Sequence, residues 1–403
     1  MSERWLSILG IGEDGVEGLA PAARALIESA ELVVGGARHL ALAAPLIRGE
    51  TLVWASPIHK TVRAITALRG KQVAVLASGD PYMHGIGATL ATLVEPSEIF
   101  TLPVPSAYSL AAARLGWAMQ DVTTHSLCGH DPATLLPHLH PRRRLMVFSA
   151  DETTPGVVCL LLTKRGFGRS AVHVLEALGG PRERIRTVRA DAGPPADVQP
   201  LNMLAIQLEA APGAAVIPLA RGLPDAMFEH DGQMTKAEIR AVTLAALAPG
   251  VGETLWDIGC GSGSIAIEWL LCHPANRAIG IEPVPERAAR AARNALALGV
   301  PRLEIVPGEA PAALSGLPVP DKVFIGGGAR DPGVVEACCA ALPPGGRMVI
   351  NAVTIETEAL LYTLHAQRGG TLIRLSVDRL DTVGTLHGFR KSMTITQWAA
   401  VKP

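Results

Sequence analysis

Aromatic residues are scarce: six Trp, three Tyr and six Phe make up 4% of a 403-residue chain. So thin a supply argues against the stacking platforms that single-strand nucleic-acid binders use. An excess of one charge is missing too. Lys and Arg number 36 against 37 Asp and Glu, net −1, and neither half of the chain is basic, so no nucleic-acid partner is expected. The run Arg142-Arg143-Arg144 reads as a solvated strand entry. Six cysteines (Cys128, Cys159, Cys260, Cys272, Cys338, Cys339) form no Cys-x-x-Cys pair. That leaves no disulfide ladder and no zinc spacing, and no metal site is expected. The longest uncharged runs carry Pro or Gly and fall short of the ~18–20 residues of a membrane span. Glu3 and Arg4 precede the first apolar run, so a secretory leader is not expected and the cytoplasm is the default compartment.

What is present is a folding chain. Hydrophobic residues make up 48% and charged residues 18%, which excludes disorder. The 41 Gly and 31 Pro are scattered without a period. At roughly 100–200 residues per domain the length predicts two or three domains. Short apolar runs alternate with helical patterns in the first half: strands at 5–12, 32–36 and 71–77, helices at 20–30 and 83–94. This is parallel α/β texture. From about Leu115 strands dominate (144–149, 170–178, 184–190, 202–209), which predicts a second, more antiparallel lobe. The expected organisation is a two-lobed α/β domain at 1–209, with lobes at about 1–115 and 116–209, and a Pro-rich linker at 210–221. A second α/β domain follows at 222–403. It opens on a helix with capping-box spacing at Thr235 and Glu238. It then runs through seven strands, at 254–258, 278–282, 303–306, 322–325, 347–353, 372–377 and 395–401. The last two are not separated by a helix, which fits a Rossmann-like sheet closed by an antiparallel pair.

The strongest motif is Asp257-Ile-Gly-Cys-Gly-Ser-Gly, after a strand and before a helix. Gly259, Gly261 and Gly263 allow a sharp turn and a close ligand approach, and the helix N-terminus favours a carboxylate or phosphate. The spacing is G-x-G-x-G with an acid two residues ahead, not the G-x-G-x-x-G of dinucleotide sites. It suits S-adenosylmethionine (SAM), with Asp257 and Ser262 beside the turn. Glu282 ends the next strand, where an acid can take both ribose hydroxyls, and Glu309 ends the third, beside the adenine. Cys260 sits in the loop as packing. The fourth strand ends in Gly326-Gly327-Gly328, with no Asn/Asp-Pro-Pro-aromatic motif for an amino group and no Pro-Cys nucleophile. Three glycines clear room for a bulky acceptor.

In the first half Gly10-Ile-Gly12-Glu-Asp-Gly15 matches G-x-G-x-x-G literally. Its helix starts late, near Pro21, and the second strand ends in Val34-Gly35-Gly36 with no acid, so a nicotinamide site is not expected. Paired with Ser78-Gly79-Asp80-Pro81, the loop predicts a cleft at the carboxyl ends of the strands.

These residues are familiar as a set. Residues 5–36, SGDPYMHG (78–85), PSAYSLAAARLGW (105–117) and FSADETTPG (148–156) resemble the tetrapyrrole (corrin/porphyrin) methylase family. LPDAMFEHDGQMTKAEIRA, LWDIGCGSGSIAIEW, GEAPAAL, LPVPDKVFIGGG and INAVTIET, within 223–355, resemble the decarboxylating corrin methylase domain. Two departures stand out. Gly12-Glu13-Asp14-Gly15 replaces the Gly-Pro-Gly-Asp of many relatives, and 356–403 carries no mapped motif.

The resemblance implies a cobalamin-pathway methyltransferase acting on a polycarboxylate tetrapyrrole. It would transfer methyl groups to C5 and C15 and remove CO₂ from the C12 acetate. It also implies one SAM site per domain and a homo-oligomer. The first SAM site is expected at Gly10, Gly12, Gly79, Asp80 and Ser106. The second is expected at Thr235, Asp257, Gly259, Gly261, Ser262, Gly263, Glu282 and Glu309. Asn351, Arg240 and Lys236 are expected to act on the substrate, and Arg330 is a further candidate for its carboxylates. Two other classes stay open. One is a SAM-dependent RNA or protein methyltransferase with an accessory module, which the neutral charge and the missing Pro-Pro-aromatic motif disfavour. The other is a non-catalytic SAM sensor.

Overall fold

The computed structural model describes residues 4–403. Its main division falls between Ala215 and Val216, giving two compact units.

The first unit holds two five-stranded sheets. β1 (Leu6–Ile11), β2 (Leu32–Gly35), β3 (Glu50–Val53), β4 (Val73–Ser78) and β5 (Ile99–Leu102) are all parallel, in the order β3-β2-β4-β1-β5. Every residue of β1 is buried, as a central parallel strand covered on both faces requires. α1 (Pro21–Ser29) starts on the expected proline. The second sheet orders β6 (Val122–Ser126), β7 (Arg144–Phe148), β10 (Asn202–Gln207), β8 (Ala171–Glu176) and β9 (Arg184–Arg189). Only β6–β7 is parallel, so the second lobe is largely antiparallel. Between the sheets in sequence lies α5 (Ala107–Leu115). Ser106 caps it by accepting from the Ser109 N–H, and Gly116 ends it at φ 65°.

Two expectations need correction here. The helix expected over 83–94 shrinks to α4 (Ile86–Leu90). Residues 79–85 form a loop instead, and a Cβ at Gly85 would come within 2.4 Å of the Pro81 carbonyl. Strands β3, β5 and β6 went unforeseen. All three are sheet edges of four or five residues and mostly not buried, which leaves little apolar pattern to read.

The second unit is one seven-stranded sheet with helices. β11 (Thr254–Ile258), β12 (Arg277–Glu282), β13 (Glu304–Pro307), β14 (Lys322–Ile325), β15 (Arg347–Ala352), β16 (Thr371–Leu375) and β19 (Ile395–Val401) order as β13-β12-β11-β14-β15-β19-β16. β19 runs antiparallel between β15 and β16, the expected closing pair. Trp256, Ile279, Val323, Ile350 and Trp398 are core members. The helices include α7 (Ala237–Leu247), α8 (Ser264–Cys272) and α9 (Pro285–Ala297). The unforeseen element is a separate hairpin, β17 (Asp378–Val383) with β18 (Leu386–Lys391), turned by Gly384-Thr385. The capping box is not formed. Lys236 occupies the cap position without a side-chain bond, and Glu238 pairs with Arg379 instead. Among the described residues no helix is long and apolar enough to cross a membrane.

Candidate active sites

In the second unit a cavity of about 800 Å³ opens where the sheet's parallel strands end. Its lining takes residues just past β11 (Gly259), β12 (Pro283), β13 (Gly308), β14 (Gly326) and β15 (Val353). This is the crevice where open α/β sheets bind ligands. The turn after β11 is shaped by close backbone approach: a Cβ at Gly259 would sit 3.1 Å from the Gly327 backbone, and φ is +69°. Glu282 is buried, and each carboxylate oxygen accepts one backbone N–H, from Gly261 at 2.8 Å and Val284 at 3.0 Å. The remaining lone pairs are free for a diol.

Asp257 is more deeply committed. It is 1% exposed, its Oδ2 accepts from the Ala266 N–H at 3.1 Å, and Oδ1 has no partner. Burial, with the nearby Glu282 charge adding to it, pushes its carboxyl up to about 7. The Ser262 hydroxyl is likewise buried without a partner. Two buried, unpaired polar groups in one cavity are costly unless a ligand satisfies them. SAM fits: its ammonium would neutralise Asp257 and its ribose hydroxyls would reach Glu282. Thr235, Gly261 and the exposed Glu309 also line the cavity. Cys260 is packing: it is buried, its thiol is pushed up by burial, and a Cβ at Gly280 would meet its sulfur at 2.8 Å.

In the first unit a cavity of about 380 Å³ gathers Gly12, Gly79, Asp80 and Ser106. The Asp80 carboxylate accepts the Tyr82 N–H at 2.9 Å and so holds the loop after β4. Three further groups were not foreseen. Asn202 Oδ1, Ser149 Oγ and His39 Nδ1 are buried, unpartnered, and belong to cavity-lining residues. Asn202 is held by donating to the carbonyls of Asp151 and Gln199, which leaves its oxygen over. His39 is kept neutral, its imidazole lowered to about 4 by burial and by Arg38. The Asn202 oxygen and the Ser149 hydroxyl, among apolar walls such as Leu175, Leu178 and Met203, suit a flat amino-heterocycle such as adenine.

Four expected site residues lie elsewhere. Arg240 is fully buried: it donates to Glu268 and Asp225 at 2.8 Å and to the carbonyls of Thr235 and Leu223, and its guanidinium lies over the Phe228 ring. It holds the chain leading into α7, with four of its five N–H groups engaged and the side chain closed off from solvent and substrate. Gly10 lies behind its cavity, where a Cβ would strike the Gly79 carbonyl at 2.0 Å. Gly263 forms the entry to α8 at φ +75°. Arg330 is exposed and off the cavity lining.

Asn351 and Lys236 do line the second cavity. Asn351 is fixed by donating to Thr243 at 2.9 Å and accepting from Gln397 at 2.9 Å, so its orientation is set from behind. Lys236 has only a loose pairing, 3.9 Å to Asp225.

Comparison with known proteins finds a separate family match for each unit. A tetrapyrrole (corrin/porphyrin) methylase model matches residues 6–192, and a precorrin methyltransferase domain model matches 226–402. A Sinorhizobium sp protein named precorrin-6Y C(5,15)-methyltransferase [decarboxylating] is 53% identical over 99% of this chain and 96% of its own length. The chain belongs to the decarboxylating precorrin-6Y C(5,15)-methyltransferases. Shorter relatives of this methyltransferase carry parts of that name. A Salmonella typhimurium cobalt-precorrin-7 C(5)-methyltransferase is 30% identical over 46% of this chain and 92% of its own length. A probable cobalt-precorrin-6B C(15)-methyltransferase (decarboxylating) of Saccharolobus solfataricus is 40% identical over 34% of this chain and 71% of its own length.

Sequence reasoning missed cavity-lining residues for different reasons. Asn202 opens a strand whose apolar run hides it, Ser149 follows β7, and Arg379 sits in the unmapped tail.

Proposed function

We propose that the chain methylates C5 and C15 of precorrin-6B with SAM and releases the C12 acetate carboxyl as CO₂, giving precorrin-8X, with one SAM site in each unit. The observation that carries this reading is the pair of separate cavities. Each is lined by strand-end glycines, and each contains buried polar groups with no partner.

SAM supplies an electrophilic methyl group on a sulfonium. In the second unit Asp257 would hold its ammonium and Glu282 its ribose, with the turn 259–262 lining the space beside them. In the first unit Asp80 and Ser106 shape the corresponding loops, and Asn202 and Ser149 offer the free acceptors. The meso carbons of the macrocycle are enamine-like and nucleophilic already, so the protein's work is alignment and dehydration, with no strong base required. Gly326-Gly327-Gly328 and Asn351 stand at the ends of adjacent strands β14 and β15. A macrocycle edge would enter over Gly327, between the side chains of Phe324 and Asp331 that stand against Gly326 and Gly328. We assign C15 methylation and decarboxylation to this unit and C5 methylation to the first.

The test is incubation of the full chain with precorrin-6B and SAM, read by mass. Two methyl gains and one CO₂ loss are expected. Methylation without CO₂ release, or a single methyl gain, would refute the reading.

A further inference from the structure

The second cavity is wider than a cofactor site alone requires. Asp257, Glu282 and Glu309 stand at the ends of β11, β12 and β13, one half of the sheet. Val353, Val377 and Ile395 flank β15, β16 and β19 on the other half and line the same cavity. From β12 to β19 is four strand spacings, roughly 19 Å at about 4.8 Å each. The far half is therefore the place for the acceptor.

Two cations line it on this side, Lys236 at the start of α7, loosely paired with Asp225 at 3.9 Å, and an arginine on the hairpin. Arg379, on β17, lines the cavity; its guanidinium pairs with the surface carboxylate of Glu238 and lies 3.5 Å from the Ser392 hydroxyl. The side chain is 43% exposed and Glu238 is 49% exposed, so the pair is wet and readily exchanged for another carboxylate. Arg287, the cavity's other arginine, is satisfied by Asp231 and Gln233. The strand-end residues that line this half, Val353, Val377, Met393 and Ile395, carry no charge.

Resting on the reading above, we propose that Arg379 anchors a carboxylate that the macrocycle retains, and that the carboxylate lost as CO₂ lies away from it against the uncharged wall. The chemistry requires this separation. In R–CH₂–COO⁻ + H⁺ → R–CH₃ + CO₂ the C–C bond breaks, its electron pair passes into the conjugated macrocycle, and the carbon takes a proton from solvent. The carboxylate charge disappears from the departing group, so a cation holding it would stabilise the ground state more than the transition state and slow the loss. An uncharged, dehydrated wall does the reverse. A guanidinium is well suited to a carboxylate that stays, because it binds in a planar, two-pronged manner.

The experiment uses the full chain with precorrin-6B and SAM and compares Arg379→Gln, Arg379→Lys and Glu238→Gln. For Arg379→Gln the KM for the macrocycle should rise about 10-fold or more. Its kcat, its SAM affinity and the one-to-one ratio of CO₂ to C15 methyl should hold. Arg379→Lys should recover most of the loss. Glu238→Gln breaks the same ion pair but frees the guanidinium, so its KM should stay level or fall. A matching KM rise in Glu238→Gln would show that only the ion pair's structural role matters and overturn the proposal. So would an unchanged KM in Arg379→Gln, or a selective loss of CO₂ release. If the unaltered chain yields no methylated, decarboxylated product, the functional reading itself has failed, which is a separate outcome.

Discussion

Glu282 and Asp257 sit at the ends of adjacent strands in the same crevice, yet their carboxyl groups are satisfied differently. Glu282 accepts a backbone N–H on each carboxylate oxygen, whereas Asp257 keeps one oxygen unpaired and holds its proton up to about 7. Replacing Glu282 by Ala removes the diol acceptor, a charge-assisted contact worth on the order of 1.5–3 kcal/mol. SAM affinity at the second site should fall roughly 10- to 100-fold by calorimetry, with the first site unchanged. Unaltered affinity would take Glu282 out of the site. Asp257 gives a pH signature. Its carboxyl is raised above the usual value near 3.8, so the folded state binds the proton more tightly than the unfolded chain does. The stabilisation is complete below about pH 4 and is lost as pH rises through about 7. Without SAM, the Tm of the second unit should therefore drop between pH 4 and pH 7.5 relative to Asp257→Asn, by roughly 5–10 °C. A pH-independent difference between the two proteins would mean that Asp257 is already ionised in the free site.

At the scale of elements, the segment before α7 shows how a site is held from behind. Arg240 on α7 and Glu268 on α8 form a fully buried pair, and Glu268 also accepts the N–H groups of Gly222 and Leu223. Arg240 in turn holds the carbonyl of Thr235, a cavity residue. Removing one member of a buried pair leaves an uncompensated charge and costs about 3–5 kcal/mol. Arg240→Met should lower the urea midpoint of the second unit accordingly, with SAM affinity reduced through the loosened loop. Full stability with a raised KM for the macrocycle would instead return Arg240 to the substrate. The strands β11, β12 and β14 were legible in the sequence because each is an apolar run closed by glycine or acid. The β17–β18 hairpin was not, because its apolar residues Leu380, Leu386 and Phe389 are exposed and follow no core face.

For the whole molecule, each unit has its own sheets, core and cavity, and we propose that the two can be separated. Cutting near residue 215 should give two soluble pieces, each binding one SAM by calorimetry. The second piece alone should release CO₂ and methylate C15. Asp80→Ala with Gly12→Val in the full chain should leave a product decarboxylated and methylated only at C15. A second piece that gives neither product, under conditions where the full chain gives both, would refute this division of labour.

The sequence by itself determined the parallel α/β texture, the seven strands of the second unit's sheet and the glycine turns, because these depend on local spacing: apolar runs, φ-permissive glycines and acids at strand ends. Only the tertiary structure decided which polar residues reach a cavity. Arg240 and Asn351 lie in similar apolar surroundings in the sequence. One is consumed by Glu268 and Asp225, and the other is fixed by Thr243 and Gln397 at the cavity wall. The unpaired oxygens of Asn202 and Asp257 and the guanidinium of Arg379 could be found only there as well. Whether a polar atom is satisfied depends on partners tens to more than a hundred residues away, and no local pattern encodes that.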